Sequence, residues 1–235
     1  PFDRNNDLQD VAIVQDMEKK ASLKTGRTGG LPYMGVGWYR TTFKTIPHTK
    51  VELLFDGAMS EAKIYVNGKE VGEWPYGYNS FHFDVTPYVN QDGKTNLLAV
   101  RLENKIHSSR WYPGAGLYRN VHLRVNKPVH IPVWGTYLTT PVVKSEYAKV
   151  HLNTALETGQ PEASGYRIVT ELKDQWGKVV ASGDKVLAYG DGNVFEQSFV
   201  VRSPELWSPE TPVLYTAVSR VYDGQELIDE HTTPF

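Results

Sequence analysis

Short runs of alternating apolar and polar residues begin at Val36 and continue to the end of the chain. They are rich in Val, Tyr, Phe, Thr and Ile, and they are separated by Gly, Pro and Asn. A period of two residues is that of a β-strand, in which successive side chains point to opposite faces. The pattern therefore predicts an all-β chain of antiparallel strands.

Several of these runs carry their apolar residues on one face. A strand of this kind needs a second sheet to cover that face, so we expect the strands to form β-sandwiches. The runs are Leu98, Val100 and Leu102; Val121, Leu123 and Val125; Val150, Leu152, Thr154 and Leu156; Ile168, Thr170 and Leu172; and Phe195, Gln197, Phe199 and Val201.

Two dipeptides mark tight hairpins. Asn67-Gly68 stands between the strand-like runs 64–66 and 69–71, and both residue types tolerate the positive φ of a two-residue type I′ turn. Asp223-Gly224 is expected to join 213–222 to 225–230 in the same way.

A domain boundary is expected near residues 126–128. Pro128 and Pro132 cannot donate to a strand ladder, and the alternation resumes after them with a new rhythm. The sequence thus predicts one domain over 1–127, with a long irregular N-terminal loop, and a second over 128–235. The second contains about seven short strands, the number in an immunoglobulin-like β-sandwich.

Composition narrows the classes of protein. Hydrophobic residues make up 40% of the chain and charged residues 22%, as in folded soluble domains. The 25 basic and 27 acidic residues leave a net charge of -2, so neither nucleic acid nor an anionic membrane is an expected partner. Apolar runs stay far below the roughly 20 residues of a membrane span. The absence of cysteine excludes disulfides and thiolate metal sites.

The run 108–121, SSRWYPGAGLYRNV, has the layout of a site loop. Polar and aromatic residues precede a Pro-Gly-x-Gly turn, and the strand that follows fixes the base of the loop. Aromatic planes stack on the C–H face of a sugar, and Arg, Asn and Ser can bind its hydroxyls. The alternative is that these aromatic side chains fill a core or a domain interface.

This run resembles the SSRWYxGxGIYRxV signature in the sugar-binding domain of family 2 glycoside hydrolases, the family of β-galactosidases, β-glucuronidases and β-mannosidases. Four further stretches resemble that family in the same order. They are GVGWYRTTF (35–43), AKIYVNG (62–68), GYNSFHFDVT (77–86) and LWSPETPVLY (206–215). Together the five matches span nearly the whole chain from Val36 onward.

The resemblance implies an N-terminal jelly-roll (galactose-binding-like) β-sandwich followed by an immunoglobulin-like β-sandwich. In the family a (β/α)₈ barrel follows and provides the two catalytic Glu residues, whereas this chain ends before such a barrel. Retaining hydrolysis needs two carboxyl groups about 5 Å apart. We therefore expect no catalytic residue here, and the carboxylates are expected to be solvated on the surface: Glu52, Asp56, Glu70, Glu73, Asp84 and Glu103.

The same resemblance suggests residues that face the substrate cleft. By position, Ser109 takes the place of a residue that points from the first domain into the cleft, and that residue is an Asp in some β-galactosidases. Arg110 and Trp111 follow as cleft or interface residues. Asn5 and Asp7, in the N-terminal loop, are further candidates for sugar contact.

No metal or cofactor is expected. The stretch from Asp3 to Asp7 begins like a calcium loop, but Leu8 stands where an EF-hand needs glycine. The seven His residues show no metal-ligand spacing, and the glycines at 26–37 lack the ending of a phosphate loop.

Three functions remain open. The first is a non-catalytic N-terminal portion of a β-galactosidase-like hydrolase, with a β-glycoside and the barrel of the same polypeptide as its partners. The second is a self-sufficient carbohydrate-binding module, and the third is a structural or adhesion protein. A polysaccharide-degrading parent favours a periplasmic or secreted location over a cytoplasmic one.

Overall fold

The computed structural model describes residues 35–47, 49–104, 116–160 and 164–235. The chain divides into two compact units, Pro1–Val125 and Asn126–Phe235. Within the described ranges, no helix is both long and apolar enough to cross a membrane.

The described residues of the first unit form β-strands and one short 3-10 helix, Thr86–Tyr88. The strands are β1 (Gly35–Lys44), β2 (Lys50–Phe55), β3 (Ala62–Val66), β4 (Lys69–Trp74), β5 (Phe81–Asp84), β6 (Thr95–Asn104) and β7 (Val121–Asn126). They form one sheet in the order β1-β6-β3-β4 and a second in the order β5-β2-β7.

One hydrophobic core joins the two sheets of the first unit. Leu53 and Phe55 on β2 lie in the same buried cluster as Ile64 on β3 and Val100 on β6. The ring of Phe81 on β5 stacks on that of Phe55 at 4.8 Å between centroids. Residues from both sheets thus bury one shared interior, as the alternation predicts.

The hairpin at Asn67-Gly68 is confirmed. Val66 pairs directly with Lys69, and the two residues between them have φ values of 51° and 80°. Asn67 also ties the turn to the adjoining strand: its side-chain amide donates to Oδ1 of Asn96 at 2.8 Å, and Asn96 is fully buried. The hydrogen bond satisfies part of the polar group that Asn96 buries.

Strand β7 departs from its expected environment. The face carrying Val121, Leu123 and Val125 was expected to meet a second sheet, but Leu123 is 37% exposed and Val125 is 36% exposed. Among the described strands, β7 lies at the end of the order β5-β2-β7, with β2 as its one neighbour. By contrast, Leu98 and Val100 on the inner strand β6 are buried.

The expectation of a solvated carboxylate is wrong for Glu52, whose residue is only 2% exposed. It lies on β2, the central strand of its sheet, and its carboxylate oxygen is 3.5 Å from Nδ1 of His82. Glu52 alternates with the core residues Val51 and Leu53 and therefore points to the other face of the sheet, where neighbouring side chains, His82 among them, cover it. The sequence gives the alternation of a strand but not its place in the sheet.

The second unit is a sandwich of seven described strands. They are β8 (Thr136–Val143), β9 (Tyr147–Ala155), β10 (Arg167–Lys173), β11 (Val179–Val186), β12 (Val194–Arg202), β13 (Thr216–Asp223) and β14 (Glu226–Pro234). One sheet has the order β12-β9-β8 and the other β11-β10-β13-β14. The all-β prediction of a jelly-roll sandwich followed by an immunoglobulin-like sandwich is confirmed.

The three apolar faces predicted for the second unit are confirmed as buried faces. Buried and exposed residues alternate as expected along Val150–Leu156 (β9 and the residue after it), Ile168–Leu172 (β10) and Phe195–Val201 (β12). The polar members are included: Oγ1 of Thr170 donates to Oε1 of Gln197 at 2.7 Å inside the sandwich. This hydrogen bond lowers the cost of burying both side chains.

The second hairpin is displaced by one residue from its predicted position. Asp223 pairs with Glu226, so the loop consists of Gly224 and Gln225. Gly224 has a φ of 56°, and positive φ at the first central position is what a type II′ turn requires. Glycine therefore occupies the first central position of the turn, whereas the prediction placed Asp223 at the first position and Gly224 at the second.

A charged cluster ties three strands of the second unit. Arg220 on β13 contacts Glu171 on β10 at 3.0 Å and Glu230 on β14 at 2.6 Å, and Lys173 lies 3.2 Å from Glu171. Hydrogen bonds from Arg220 and Lys173 hold the pKa of Glu171 below its ordinary value. A lowered carboxylate pKa stabilises the fold above the unfolded pKa and loses that effect as pH falls through the folded one.

We expect Arg220→Met to lower the free energy of unfolding by about 1 kcal/mol at neutral pH, since the pair is only partly buried. The loss should shrink as the pH falls below 4.5, the ordinary pKa of Glu171. Urea unfolding at neutral and acidic pH measures both effects. Arg202→Met, at an exposed position of the same unit, is the control. An equal loss at both pH values would contradict the role of Glu171.

Candidate functional site

The five residues proposed from the sequence, Ser109, Arg110, Trp111, Asn5 and Asp7, lie outside the described residues. The structure does describe the chain that follows the first three, from Gly116 onward. It also describes the residues on which that chain rests. The candidate site is therefore built from the base of the loop.

Backbone hydrogen bonds fix the C-terminal end of the 108–121 run. Met59 and Gly116 exchange two of them, at 3.0 and 2.9 Å, and the amide of Asp56 donates to the carbonyl of Asn120 at 3.0 Å. Gly116 has a φ of 118°, which favours glycine. A Cβ there would also lie 2.6 Å from the hydroxyl oxygen of Tyr39. The turn can thus approach this closely only with glycine at position 116.

Tyr118 anchors the next turn of the chain. Its hydroxyl donates to the carbonyl of Gly77 at 2.7 Å. Its ring lies over Gly57 so closely that a Cβ on that glycine would be 2.6 Å from ring atoms. Gly77 in turn rests on the side chain of Met59. Tyr118 therefore joins three separate segments of the first unit.

Four aromatic side chains in this region form what we name the aromatic cluster: Trp74, Tyr76, Tyr78 and Tyr118. The rings of Tyr76 and Tyr78 are 5.8 Å apart at an angle of 57°. Tyr76, Tyr78 and Tyr118 are each about half exposed. The three tyrosines thus present their rings to solvent, whereas Trp74 packs against the core and stacks on Phe81.

Polar groups border the aromatic cluster. The guanidinium of Arg119 lies 5.5 Å from the ring centre of Tyr118, and Oδ1 of Asn79 accepts a hydrogen bond from the indole of Trp74 at 2.9 Å. Burial and the neighbouring Tyr118 and Tyr76 phenols raise the pKa of Tyr78. Its hydroxyl therefore stays protonated at neutral pH and can donate a hydrogen bond.

Asp56 and His122 form a second polar contact on the same unit. Nε2 of His122 is 3.0 Å from Oδ2 of Asp56, and Oγ of Ser80 donates to the backbone carbonyl of Asp56 at 3.2 Å. Asp56 directly precedes Gly57, on which Tyr118 rests. The contact thus adds a carboxylate and an imidazole beside the base of the loop.

Aromatic faces bordered by Arg, Asn and carboxylate groups can bind sugars by stacking and hydrogen bonding. Among the described residues, no group of three or more His, Cys, Asp or Glu side chains is arranged to hold a metal ion. The described groups therefore give this surface the means to stack on a sugar ring and to hydrogen-bond its hydroxyls.

The sequence pattern did not single out Tyr76, Tyr78 or Tyr118. Tyr118 lies within the recognised run, but the Trp and Arg of that run are the residues that the pattern favoured. The stretch WPYGYNS at 74–80 carried a signal, since three aromatic residues alternate with Pro and Gly where a strand ends. Such residues in a turn are exposed more often than those inside a strand.

Comparison with known proteins identifies both units. Residues 28–128 match the model of the glycosyl hydrolases family 2 sugar binding domain, and residues 129–235 match the model named Glycosyl hydrolases family 2. The first unit is thus a sugar-binding β-sandwich, and the second is the sandwich that follows it. The chain belongs to glycosyl hydrolases family 2.

Individual relatives agree with this assignment. β-Galactosidase BoGH2A of Bacteroides ovatus is 39% identical over 233 residues, which are 96% of this chain and 27% of that protein. The crystal structure of a family 2 member from Bacteroides cellulosilyticus superposes with a TM-score of 0.81 at 34% identity, over 90% of this chain and 28% of that one. A Bacteroides uniformis β-glucuronidase gives 0.74 at 29% identity, over 86% and 26%. The chain thus spans about a quarter of the length of these relatives.

We expect Tyr118→Phe to lower the free energy of unfolding by about 1 kcal/mol, because it removes the hydrogen bond to Gly77. Tyr76→Phe, at a half-exposed position of the same cluster, should change it far less. Urea unfolding of the two variants makes the comparison. Equal effects would mean that the hydroxyl of Tyr118 contributes no more than that of Tyr76.

A second variant tests the packing at the same place. Gly57→Ala places a Cβ where the Tyr118 ring lies. We expect this ring to be displaced and the cluster to rearrange, seen as a change in near-UV circular dichroism. Gly37→Ala is the control, because a Cβ at that strand position meets no atom within 4 Å. A spectrum of Gly57→Ala unchanged from the parent would contradict the contact.

Proposed function

We propose that this chain is the non-catalytic N-terminal portion of a β-galactosidase-like glycoside hydrolase. Its two sandwiches support a catalytic barrel contributed by the same polypeptide and shape one side of the substrate cleft. The observation that carries the proposal is the coverage: the chain aligns with about a quarter of each glycosidase relative. A catalytic domain in the remaining three quarters of such a protein would need supporting domains of this kind.

The base of the 108–121 run gives the proposal a physical basis. The hydrogen bonds between Met59 and Gly116, and the packing of Tyr118 on Gly57, fix the point from which the preceding residues extend. A loop with a fixed base can hold its tip in a defined position at low entropic cost. Ser109, Arg110 and Trp111 would then reach toward the cleft, with Asn5 and Asp7 as further contacts.

The specificity proposed is for β-galactosides. It is supported by the named activity of BoGH2A, the 39% identical relative. A relative named β-glucuronidase is 29% identical, which makes glucuronides the substrates to compare. Both classes share the pyranose ring that an aromatic side chain can stack on.

The first test is catalysis. The isolated chain should release no aryl alcohol from an aryl β-galactoside or an aryl β-glucuronide. A longer form of the polypeptide that includes the barrel should hydrolyse one of them. Turnover by the isolated chain above that of a heat-denatured sample would overturn the proposal.

The second test addresses the loop. In the longer form, Trp111→Ala should raise KM for the preferred glycoside by about tenfold or more, the effect of losing one stacking contact of about 1.4 kcal/mol. Trp176→Ala changes an exposed Trp in a turn of the second unit and should leave KM unchanged. Equal KM values for the two variants would mean that Trp111 does not contact the substrate in the cleft.

A self-sufficient carbohydrate-binding module is the second candidate, favoured by the exposed rings of the aromatic cluster. Ligand-observed NMR of the isolated chain with galactose, glucuronate, mannose and β-linked oligosaccharides separates the two. A scaffold should bind none of them more tightly than about 1 mM, which corresponds to about 4 kcal/mol. Tighter binding that Tyr76→Ala or Trp111→Ala abolishes would make the module the better description.

A further inference from the structure

The sheet β1-β6-β3-β4 has one face on the core of the first unit and one face turned away from it. The core residues of β6 have even numbers, so its odd-numbered residues point to the opposite face. Trp38 and Arg40 of β1 pair directly with Arg101 and Ala99 of β6. Directly opposed residues of an antiparallel pair share a face. We name this surface, which carries the even-numbered residues of β1 and the odd-numbered residues of β6, the outer face.

Two aromatic side chains lie side by side on the outer face. Tyr65 of β3 pairs with Ala99 and so belongs to the same surface, and its ring centre is 5.6 Å from that of Trp38. Trp38 is 45% exposed, and Leu97, also on this face, is 42% exposed. Exposed apolar side chains that share one surface mark binding sites more often than isolated ones do.

The carboxylates of the outer face all have partners. In the described strands of this sheet they are Glu70, Glu73 and Glu103. Lys63 lies 3.1 Å from Glu73, and Arg101 lies 2.9 Å from Glu103. A hydrogen bond to Glu70 raises the pKa of Tyr65, so the hydroxyl stays protonated at neutral pH and donates to that carboxylate. These charged groups therefore neutralise or satisfy one another.

Two cations of the outer face differ from these pairs. The guanidinium of Arg40 lies 5.2 Å from the ring centre of Trp38. Lys44 lies four residues further along the same face of β1. Within the described part of the chain, neither side chain forms an ion pair with a carboxylate. Four residues of an extended strand span about 14 Å. The outer face thus offers two widely spaced positive charges beside an exposed aromatic ring.

We propose that the outer face binds an acidic polysaccharide in which neutral sugars separate the uronates. Trp38 stacks on the C–H face of a sugar ring. Arg40 lies close enough to this ring to hold the carboxylate of the same or the next sugar through two parallel hydrogen bonds. Lys44 then contacts a carboxylate further along the polymer.

The spacing of charge selects this ligand over a nucleic acid. A single strand of nucleic acid carries a phosphate at every nucleotide, and these would meet the three carboxylates of the outer face as well as its cations. A polysaccharide with spaced uronates can place its charges at Arg40 and Lys44 and its neutral sugars between them.

The ligand is a polymer because one sugar would be held weakly. An exposed ion pair contributes little to affinity, and Trp38 offers one stacking contact. A polymer presents many equivalent units to the same surface, which raises the chance that the surface is occupied. The binding proposed here requires neither a barrel nor the 108–121 run.

Affinity electrophoresis of the whole chain tests the role of Trp38. Native gels are cast with hyaluronan, in which glucuronate alternates with a neutral sugar, and each mobility is divided by that in a gel without polymer. The parent chain should be retarded, and Trp38→Ala should raise the apparent Kd by about tenfold. Trp38→Phe keeps a ring and should stay within about threefold of the parent. Tyr189→Ala, at an exposed position of the second unit, is the control.

A second pair of variants tests the charge. Arg40→Met should raise the apparent Kd by about threefold or more at low salt, and the difference from the parent should shrink at about 0.5 M salt because exposed charges are screened. Lys69→Met removes one positive charge from an exposed position of the same unit. Lys69 pairs with the buried Val66 and so is not on the outer face. This variant should bind as the parent does.

Three results would overturn the proposal. The first is no more retardation of the parent in hyaluronan than in hydroxyethylcellulose, a neutral polymer. The second is retardation that Trp38→Ala leaves unchanged, whether it is lost in Tyr76→Ala, which would place the binding at the aromatic cluster, or in neither variant. The third is a single-stranded DNA that displaces hyaluronan at a lower concentration of charge than free hyaluronan does, since the surface would then prefer nucleic acid.

Discussion

An apolar sheet face that must be covered is the constraint on which both units depend. The strands that carry the core each offer one such face, and neither sheet of a sandwich can bury it without the other. Phe55 and Phe81 of one sheet meet Ile64 and Val100 of the other for this reason. Side chains become exposed at the edge of a sheet, where the second sheet no longer covers them. Leu123 on β7 is exposed for this reason, although the alternation around it matches that of a core strand.

Alternation predicted which residues face inward but not where each strand lies in its sheet. The inward faces of β9, β10 and β12 follow directly from a period of two, including the polar members Thr170 and Gln197. Glu52 and Leu123 could not be assigned correctly, because the first is on a central strand and the second on an edge strand. Strand order is set by contacts between residues far apart in sequence, which the local pattern does not contain.

The sequence predicted that a loop would form the candidate site, but it did not predict the residues that support the loop. The run 108–121 identified a loop followed by a strand, and the base of that loop is held by Gly116 and Tyr118. The residues beneath it, Gly57 and Gly77, come from two distant segments. Their importance depends on a close approach in space, whereas glycine also occurs in turns simply because it adopts positive φ without steric cost. A single sequence cannot distinguish these two roles.

The close contact between Gly57 and Tyr118 has a consequence for how such chains change over evolutionary time. A side chain at position 57 must displace the Tyr118 ring, because a Cβ there would lie 2.6 Å from ring atoms. A smaller residue at position 118 would release that restriction and at the same time lose the hydrogen bond to the carbonyl of Gly77. Substitutions at these two positions are therefore coupled, so the order in which they occur decides how stable the intermediate form is.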